Sequence, residues 1–189
     1  MEEWLNQLNK LHPVSPELQK FLSEKMQVTF LKKNQHLVCE GDFNDRLYFV
    51  TKGVLRSYTL EETDEITTSI VAENKIFIAY TCFYHRLPAQ YFVQATENTV
   101  LLSISNSEVE FCYEHFRESV VISSLIMTRF AAETHERLAI LKIRNATDRY
   151  KTFLHYYPEM VLRVPVRHLA SYLGISFETL SRIRKQIAK

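Results

Sequence analysis

Long apolar runs are absent from this 189-residue sequence, and its first residues do not resemble a secretion signal. No segment approaches the ~20 consecutive apolar residues that a helix needs to cross a bilayer. The chain begins Met1-Glu-Glu-Trp4, without the basic region and apolar core of a signal peptide. We therefore expect a cytoplasmic protein without a membrane partner.

Cysteine is also scarce, with three residues in the chain. Their odd number and wide spacing fit neither a disulfide framework nor a paired zinc motif, so buried free thiols are expected. Histidines are scattered one to a segment, whereas a metal-dependent oxygenase needs two histidines and a carboxylate close together. We expect neither a metal site nor an enzyme; metal analysis would test the oxygenase alternative. The residues concerned are Cys39, Cys82, Cys112, His36, His85, His115, His135 and His155.

Glycine occurs only three times, and one of these residues, Gly174, lies between two short helical patterns in SYLGISFETLSRIRK. Glycine can adopt the left-handed conformation that a sharp bend between helices requires. Apolar residues flank it at the spacing of a helix-turn-helix. They are Leu169, Ala170, Leu173, Ile175, Leu180 and Ile183. We predict a helix-turn-helix here, with a hairpin that serves only for packing as the alternative.

The second helix of this motif carries side chains suited to DNA. Ser176 would cap it, and Phe177 would contact a thymine methyl group or pack. Arg182 can contact guanine, Glu178 can accept from cytosine, and Ser181 can bond a base edge or a phosphate. Basic side chains nearby are better placed for phosphates, which fix register without reading sequence. We predict that role for Arg163, Arg167, His168, Arg184, Lys185 and Lys189.

Charge is distributed unevenly, although the net charge is only +1. Residues 144–189 carry 9 basic and 3 acidic side chains, a net charge of about +6. The preceding residues carry 14 basic and 19 acidic side chains, a net charge of about −5. A basic module on an acidic body favours a polyanionic partner, because clustered cations release phosphate counterions on binding. We expect double-stranded DNA as the partner, with merely solvated cations as the alternative.

The rest of the chain predicts a helix, a set of short strands and a long helix. Ser15-Pro16-Glu17 is a helix start, and short β-branched and aromatic runs follow between Val28 and Ile104. Ser107-x-x-Glu110 predicts a capping box before a long helix. We expect Val120–Ile143 to pair with the same helix of a second chain; packing against the β-unit is the alternative.

The predicted architecture is α+β and has three parts. Residues 1–106 would form an N-terminal helix and an antiparallel β-roll of the jelly-roll type. Residues 107–143 would form a long connecting and dimerisation helix, and residues 144–189 a helix-turn-helix DNA-binding domain.

This order of elements, with Glu178-Thr-Leu-Ser-Arg182 in the last helix, resembles the Crp/Fnr family of bacterial transcription regulators over nearly the whole chain. Glu40-Gly-Asp, Leu47-Tyr-Phe-Val and Lys52-Gly53-Val are similar to the early strands and glycine turns of the family's cyclic nucleotide-binding-like roll. The resemblance implies a homodimer that reads an inverted repeat with Glu178, Ser181 and Arg182, and RNA polymerase as a further partner. A sensor or adaptor that kept the fold but no longer binds DNA is the alternative.

The sequence departs from the family's pattern in two places. Cyclic-nucleotide-binding members have Gly-Glu and Arg-Ser pairs in their phosphate cassette, where this chain has Ile78-Ala79 and Ala89-Gln90. A buried cyclic phosphate would lack its arginine partner, so cAMP binding in the family's usual mode is not expected. The sequence also ends at Lys189, where many members continue into a β-hairpin wing, so we expect a motif with little or no wing.

An unknown small-molecule effector is therefore the expected ligand, and no cofactor is required. Iron–sulfur members need clustered N-terminal cysteines, and none precedes Cys39; His85 beside Cys82 is the only local candidate for a haem ligand. Arg86 would suit a different anion, and the aromatic rings would suit an apolar ligand unless they only fill the roll. The predicted pocket comprises Phe77, Ala79, Tyr80, Phe83, Arg86, Ala89, Gln90, Tyr91 and Thr134.

Overall fold

The computed structural model describes residues 1–187 of the chain. Two helices, α1 (Glu2–Leu11) and α2 (Pro16–Lys25), precede the first strand. The start of α2 is as predicted, because the Ser15 hydroxyl accepts a hydrogen bond from the Leu18 amide and Pro16 occupies the first turn. Apolar residues of both helices are buried in one cluster with residues of the β-unit.

The strands of the described chain form two antiparallel four-stranded sheets, in the orders β1-β8-β3-β6 and β2-β7-β4-β5. Residues that face the space between the sheets are apolar and fully buried, such as Val50 and Leu101 on one sheet and Val93 on the other. A short helix, α3 (Tyr80–His85), joins β6 to β7. The prediction of an α+β protein with an antiparallel roll is confirmed. The strands are β1 Gln27–Leu31, β2 His36–Val38, β3 Arg46–Lys52, β4 Leu55–Glu61, β5 Asp64–Val71, β6 Ile76–Ile78, β7 Phe92–Ala95 and β8 Thr99–Ser105.

Gly53, in the tight turn between β3 and β4, lies against the start of β8. Its φ is +100°, and a Cβ built there would be 2.3 Å from Thr99 Oγ1 and 2.7 Å from Thr99 Cα. Only glycine suits a left-handed position with another backbone so near. This turn therefore depends on the absence of a side chain.

The predicted long helix is two helices, α4 (Asn106–His115) and α5 (Arg117–Leu141), separated by the extended backbone of Phe116. The predicted capping box that starts at Ser107 is wrong. Ser105 caps α4 by accepting from the Glu108 amide, and Glu108 accepts from the Ser105 amide in return. The same Ser-x-x-Glu spacing occurs twice here, and the end of β8 at Ser105 decides between them.

One side of α5 is buried and the other is exposed. Ile122 and Ile126 pack with the N-terminal helices and the roll, whereas Val121 and Leu125 are 44% and 37% exposed. Packing against the β-unit therefore accounts for one side only, and pairing with a second chain stays a prediction. Neither α5 nor any other helix within residues 1–187 is long and apolar enough to cross a bilayer.

Four helices form the C-terminal unit: α6 (Ala146–Tyr156), α7 (Met160–Arg163), α8 (Val166–Tyr172) and α9 (Phe177–Ile187). Their buried apolar residues form a cluster that also contains Val54 and Ala72 of the roll. α8 lies along β5, which is an edge strand of the second sheet. The C-terminal unit is thus docked on the roll and shares part of its core.

Candidate nucleic-acid interface and central cavity

Gly174 forms the bend between α8 and α9, with φ +62° and no atom within 4 Å of the position of a Cβ. Its amide donates to the Ser171 carbonyl, and the Ile175 amide donates to the Ala170 carbonyl, each at 3.1 Å. These bonds satisfy carbonyl groups that the end of α8 would otherwise leave unpaired. The predicted apolar positions are buried or partly buried: Leu169, Ala170, Leu173, Ile175, Leu180 and Ile183.

α9 presents a polar face to solvent. Glu178, Arg182 and Lys185 are exposed, and Ser181 is half-buried beside them. Residues three and four apart lie on one face of a helix, so a carboxylate, a hydroxyl and two cations share this surface. Arg182 Nη2 makes one neutral contact, to Thr179 Oγ1 at 3.3 Å, which leaves most of its donors available.

The N-terminus of α9 and the surrounding surface carry the remaining predicted contacts. The Ser176 hydroxyl accepts from the Thr179 amide at 3.2 Å, as expected of a cap. Phe177 is 51% exposed. Arg167 is exposed and Arg184 is half-buried. The predicted phosphate contact by Lys189 lies outside the described residues.

Arg163 is held by two carboxylates of the roll. Its Nη1 and Nη2 donate to Glu73 at 2.7 and 2.6 Å, and Nη2 also donates to Glu97 at 2.5 Å. The hydrogen bonds from Arg163 lower the pKa of Glu73 to about 2, and the Gly53 amide contributes. Two carboxylates occupy the donors of Arg163 in this arrangement, so its contact with a DNA phosphate stays a prediction that requires these pairs to open.

His168 is buried in the interface between α8 and the roll, where its Nδ1 lies 2.6 Å from Arg56 Nη1. Burial lowers the pKa of His168 to about 4, and the charge of Arg56 is the next cause. The neutral ring therefore accepts a hydrogen bond from the guanidinium. The ring of His168 does not reach the surface in this arrangement, so its contact with a DNA phosphate stays a prediction that the structure does not favour.

Sequence reasoning missed Arg56, which lies on β4 and is fully buried. Its Nη2 donates to Glu65 Oε2 at 2.6 Å and to Gln94 Oε1 at 3.0 Å. Its guanidinium carbon lies 4.1 Å from the centre of the Tyr58 ring. A buried cation needs such partners, because its lost hydration must be replaced. The sequence did contain one indication of a buried charge, a single arginine within the predicted strand at Leu55-Arg-Ser-Tyr58.

Ser171 completes the attachment of α8 to β5. Its hydroxyl accepts from the Thr67 amide at 2.8 Å and donates to the Glu65 carbonyl at 3.0 Å. Both groups belong to the free side of an edge strand, which would otherwise lack partners. Ser171, His168 and Arg163 together determine where the helix-turn-helix lies on the roll.

A cavity of about 400 Å³ lies between the roll, α5 and the C-terminal unit. Four members of the predicted effector pocket line it: Phe77, Tyr80, Tyr91 and Thr134. The tyrosines and the threonine bring hydroxyl groups to a wall that is otherwise largely apolar. These four residues thus lie together at one cavity, and their role in binding an effector stays a prediction.

Five members of the predicted pocket do not line this cavity. Ala79, Phe83 and Ala89 are buried within apolar clusters, and Gln90 is exposed. Arg86 donates to Asn106 Oδ1 at 2.5 Å and lies 3.6 Å from Glu110. The charge of Arg86 is thus paired outside the cavity, and its contact with an anion stays a prediction that this position does not favour.

Sequence reasoning missed both cations that line the cavity, Lys75 and Arg137. Lys75 is paired with Glu133, whereas Arg137 is not in an ion pair with any described residue. Arg137 follows Thr134 by three residues on α5, so the helical spacing could have identified it. Its guanidinium carbon lies 5.1 Å from the centre of the Tyr172 ring, and its Nε is buried without a hydrogen-bond partner among residues 1–187. The same part of the chain holds no group of three His, Cys, Asp or Glu residues that could bind a metal ion.

Comparison with known proteins relates this geometry to a family. The family model for the cyclic nucleotide-binding domain matches residues 28–116, which span the roll and α4. No curated protein sequence matches the chain significantly.

Solved structures extend the likeness to the C-terminal unit. FixK2 from Bradyrhizobium japonicum has a TM-score of 0.74 at 19% identity, over 86% of this chain and 84% of its own. CLP from Xanthomonas campestris, a c-di-GMP responsive global regulator, has a TM-score of 0.70 at 18% identity, over 90% of this chain and 89% of its own. The catabolite activator protein of Thermus thermophilus has a TM-score of 0.56 at 21% identity, over 96% of this chain and 86% of its own. With a cyclic nucleotide-binding family domain at residues 28–116 and the fold of these regulators along most of its length, the chain resembles the Crp/Fnr family, as the sequence motifs had indicated.

Proposed function

We propose that the protein is a sequence-specific DNA-binding transcription regulator that acts as a homodimer in the cytoplasm. The observation that carries this proposal is the exposed face of α9, where Glu178, Ser181 and Arg182 stand together on a helix fixed by a buried helix-turn-helix core. Arg182 can pair with guanine, Glu178 can accept from a cytosine amino group, and Ser181 can bond a base edge. RNA polymerase would be the protein partner of such a regulator.

Phosphate contacts would come from a smaller set than the sequence predicted. Arg167, Arg184 and Lys185 retain surface exposure, whereas Arg163 of α7 and His168 of α8 serve the contact between the C-terminal unit and the roll. Phosphate contacts fix the register of a protein on DNA and supply the salt-dependent part of its affinity. Dimerisation would then contribute much of the affinity, by presenting two such surfaces at once.

The dimer would form through the exposed side of α5, within Val120–Ile143. Two recognition helices related by a two-fold axis would enter successive major grooves on one side of the duplex. The half-sites would therefore lie about one DNA turn, ~34 Å, apart and form an inverted repeat.

The test begins with selection of bound DNA from a random library, followed by titration of the selected duplex against a scrambled one. Arg182→Ala should lose about 1–3 kcal/mol of binding free energy and relax the preference at one base pair. Lys185→Ala should weaken binding to all duplexes alike and reduce the slope of affinity against salt. Lys20→Ala, on the exposed surface of α2, is the matched control and should bind as the unchanged protein does.

Binding that Arg182→Ala weakens with a relaxed preference at one base pair, and that Lys185→Ala weakens for all duplexes, supports a regulator. A protein that binds no duplex under any salt condition is instead a sensor or adaptor, and the proposal is then wrong.

The central cavity is the proposed site of a small-molecule effector. cAMP in the family's usual mode is not the expected ligand, because the cassette position is Ala89, which is buried in the core and has no charge to offer. A cyclic phosphate buried at that end would lack a cationic partner.

A further inference from the structure

We propose that the central cavity binds a small organic anion whose acidic group pairs with Arg137, at the end of the cavity next to the C-terminal unit. This proposal rests on the proposed function in one respect, because it names the chemical class of the effector that a regulator would bind. The binding itself would take place without DNA. It places the anion at α5 and α8, away from the cassette between β6 and β7.

Arg137 has unused hydrogen-bonding capacity. It lines the cavity, its Nε is buried with no acceptor in the described chain, and its guanidinium lies over the Tyr172 ring at 5.1 Å. The π face of the ring attracts the guanidinium and holds the side chain in place. It provides no oxygen acceptor, so the ring does not satisfy the N–H donors of Arg137. A guanidinium with free donors in a concave site matches the geometry of a carboxylate, sulfonate or phosphate.

The acidic residues nearby do not neutralise Arg137. Glu73 is bound to Arg163, and Glu133 is bound to both Lys75 and Arg129.

Glu159 also lines the cavity, but its side chain and that of Glu136 are exposed to solvent, which screens their charges. Arg137 is thus the cavity cation whose charge no carboxylate of the described chain pairs within 4.0 Å.

The walls around this end suit an apolar body attached to the anion. Ile70 and Phe77 of the roll face Phe153 and Met160 of the C-terminal unit across the cavity. The hydroxyl groups of Ser57 and Tyr91 provide polar contacts on the roll side. A cavity of about 400 Å³ falls within the usual range for drug-sized ligands. The expected ligand therefore carries an aromatic or aliphatic body with one acidic group.

Two fluorescent probes of nearly the same shape test this directly. 8-Anilinonaphthalene-1-sulfonate carries a sulfonate, and N-phenyl-1-naphthylamine is its uncharged counterpart. The unchanged protein should bind both probes. Arg137→Gln should weaken sulfonate binding about tenfold or more, because the sulfonate loses the lining cation that no carboxylate pairs, and should change binding of the neutral probe by less than twofold. Arg137→Lys should recover part of the sulfonate affinity.

Arg144→Gln is the matched control, because it removes one exposed arginine from the chain without touching the cavity. It should leave both probes unaffected. Equal sulfonate binding by the unchanged protein and Arg137→Gln overturns the proposal, as does a lack of sulfonate binding by the unchanged protein.

Equal weakening of both probes also contradicts the proposal, since it means that Arg137 shapes the cavity rather than binding an anion. Urea unfolding of each variant shows whether its fold is intact. DNA titration of the same variants separates the two hypotheses: failure to bind DNA with normal probe binding refutes the regulator and leaves the anion site standing.

Discussion

At the scale of single residues, the three glycines of this chain show that one residue type can be required for different reasons. All have positive φ, +89° at Gly41, +100° at Gly53 and +62° at Gly174. The space around Gly41 and Gly174 is open, whereas Thr99 lies against Gly53. Backbone conformation alone favours glycine at the first and last positions. At Gly53 a steric contact is added.

This difference predicts unequal costs of adding a methyl group. Gly41→Ala should lower the free energy of unfolding by about 1–2 kcal/mol, the usual cost of a left-handed non-glycine residue. Gly53→Ala should lower it by distinctly more, because its Cβ would overlap with Thr99 unless a backbone moves. Urea denaturation of both variants measures the difference. Equal losses would show that the β3–β4 turn yields easily.

At the scale of elements, α5 is the helix whose two sides have different roles. Ile122 is buried towards the N-terminal helices. Val121 and Leu125 are four residues apart, so they lie on one face of the helix, and that face is exposed to solvent. Exposed apolar residues along a 25-residue helix are typical of a surface that another helix covers. Pairing of two chains is supported by the place of these apolar residues on the exposed side of α5, and not by the total number of apolar residues in the helix.

Leu125→Arg should therefore convert the dimer to a monomer, because it places two like charges close to the proposed two-fold axis. Size-exclusion chromatography with light scattering measures the molar mass. Leu162→Arg provides the control, since Leu162 on α7 is 87% exposed and the same change there should leave the mass of a dimer. A dimeric Leu125→Arg protein would mean that another surface joins the chains.

At the scale of the whole molecule, the position of the helix-turn-helix depends on polar groups buried between α8 and the roll. Arg56 bonds to His168, and the hydroxyl of Ser171 bonds to the backbone of β5 at Thr67. His168 has a pKa of about 4 in this interface, below its ordinary value of 6.5. The docked state therefore binds fewer protons than the undocked state between these two values.

Acid should consequently loosen the docking. The contribution of His168 is fully present above about pH 6.5 and is lost as the pH falls towards 4. Hydrogen exchange at the Thr67 amide, corrected for the intrinsic rate, should show falling protection over this window. In His168→Gln, which cannot take up a proton, the fall should be smaller. Unchanged pH dependence in this variant would assign the effect to another group.

Local features of the fold could be predicted from the sequence, and those that depend on distant partners could not. Ser15 and Ser176 cap helices as expected, and Gly174 bends the chain, because each acts on residues within one turn. The capping box was misplaced by two residues, since Ser105 and Ser107 carry the same pattern and only the end of β8 distinguishes them.

The sequence by itself determined the succession of N-terminal helical segment, β-roll, helical connection and helix-turn-helix, and the polar surface of α9, because periodicity, caps and glycine conformation operate over a few residues. Only the tertiary structure decided which charges are free. Arg163 meets Glu73 across 90 residues of chain, and Arg56 meets His168 across 112. No local pattern encodes such pairs, since they exist only after the roll has formed and α8 has docked on its edge. The same docking places Arg137 on the cavity wall, where no carboxylate of the described residues pairs with it and its Nε has no hydrogen-bond partner.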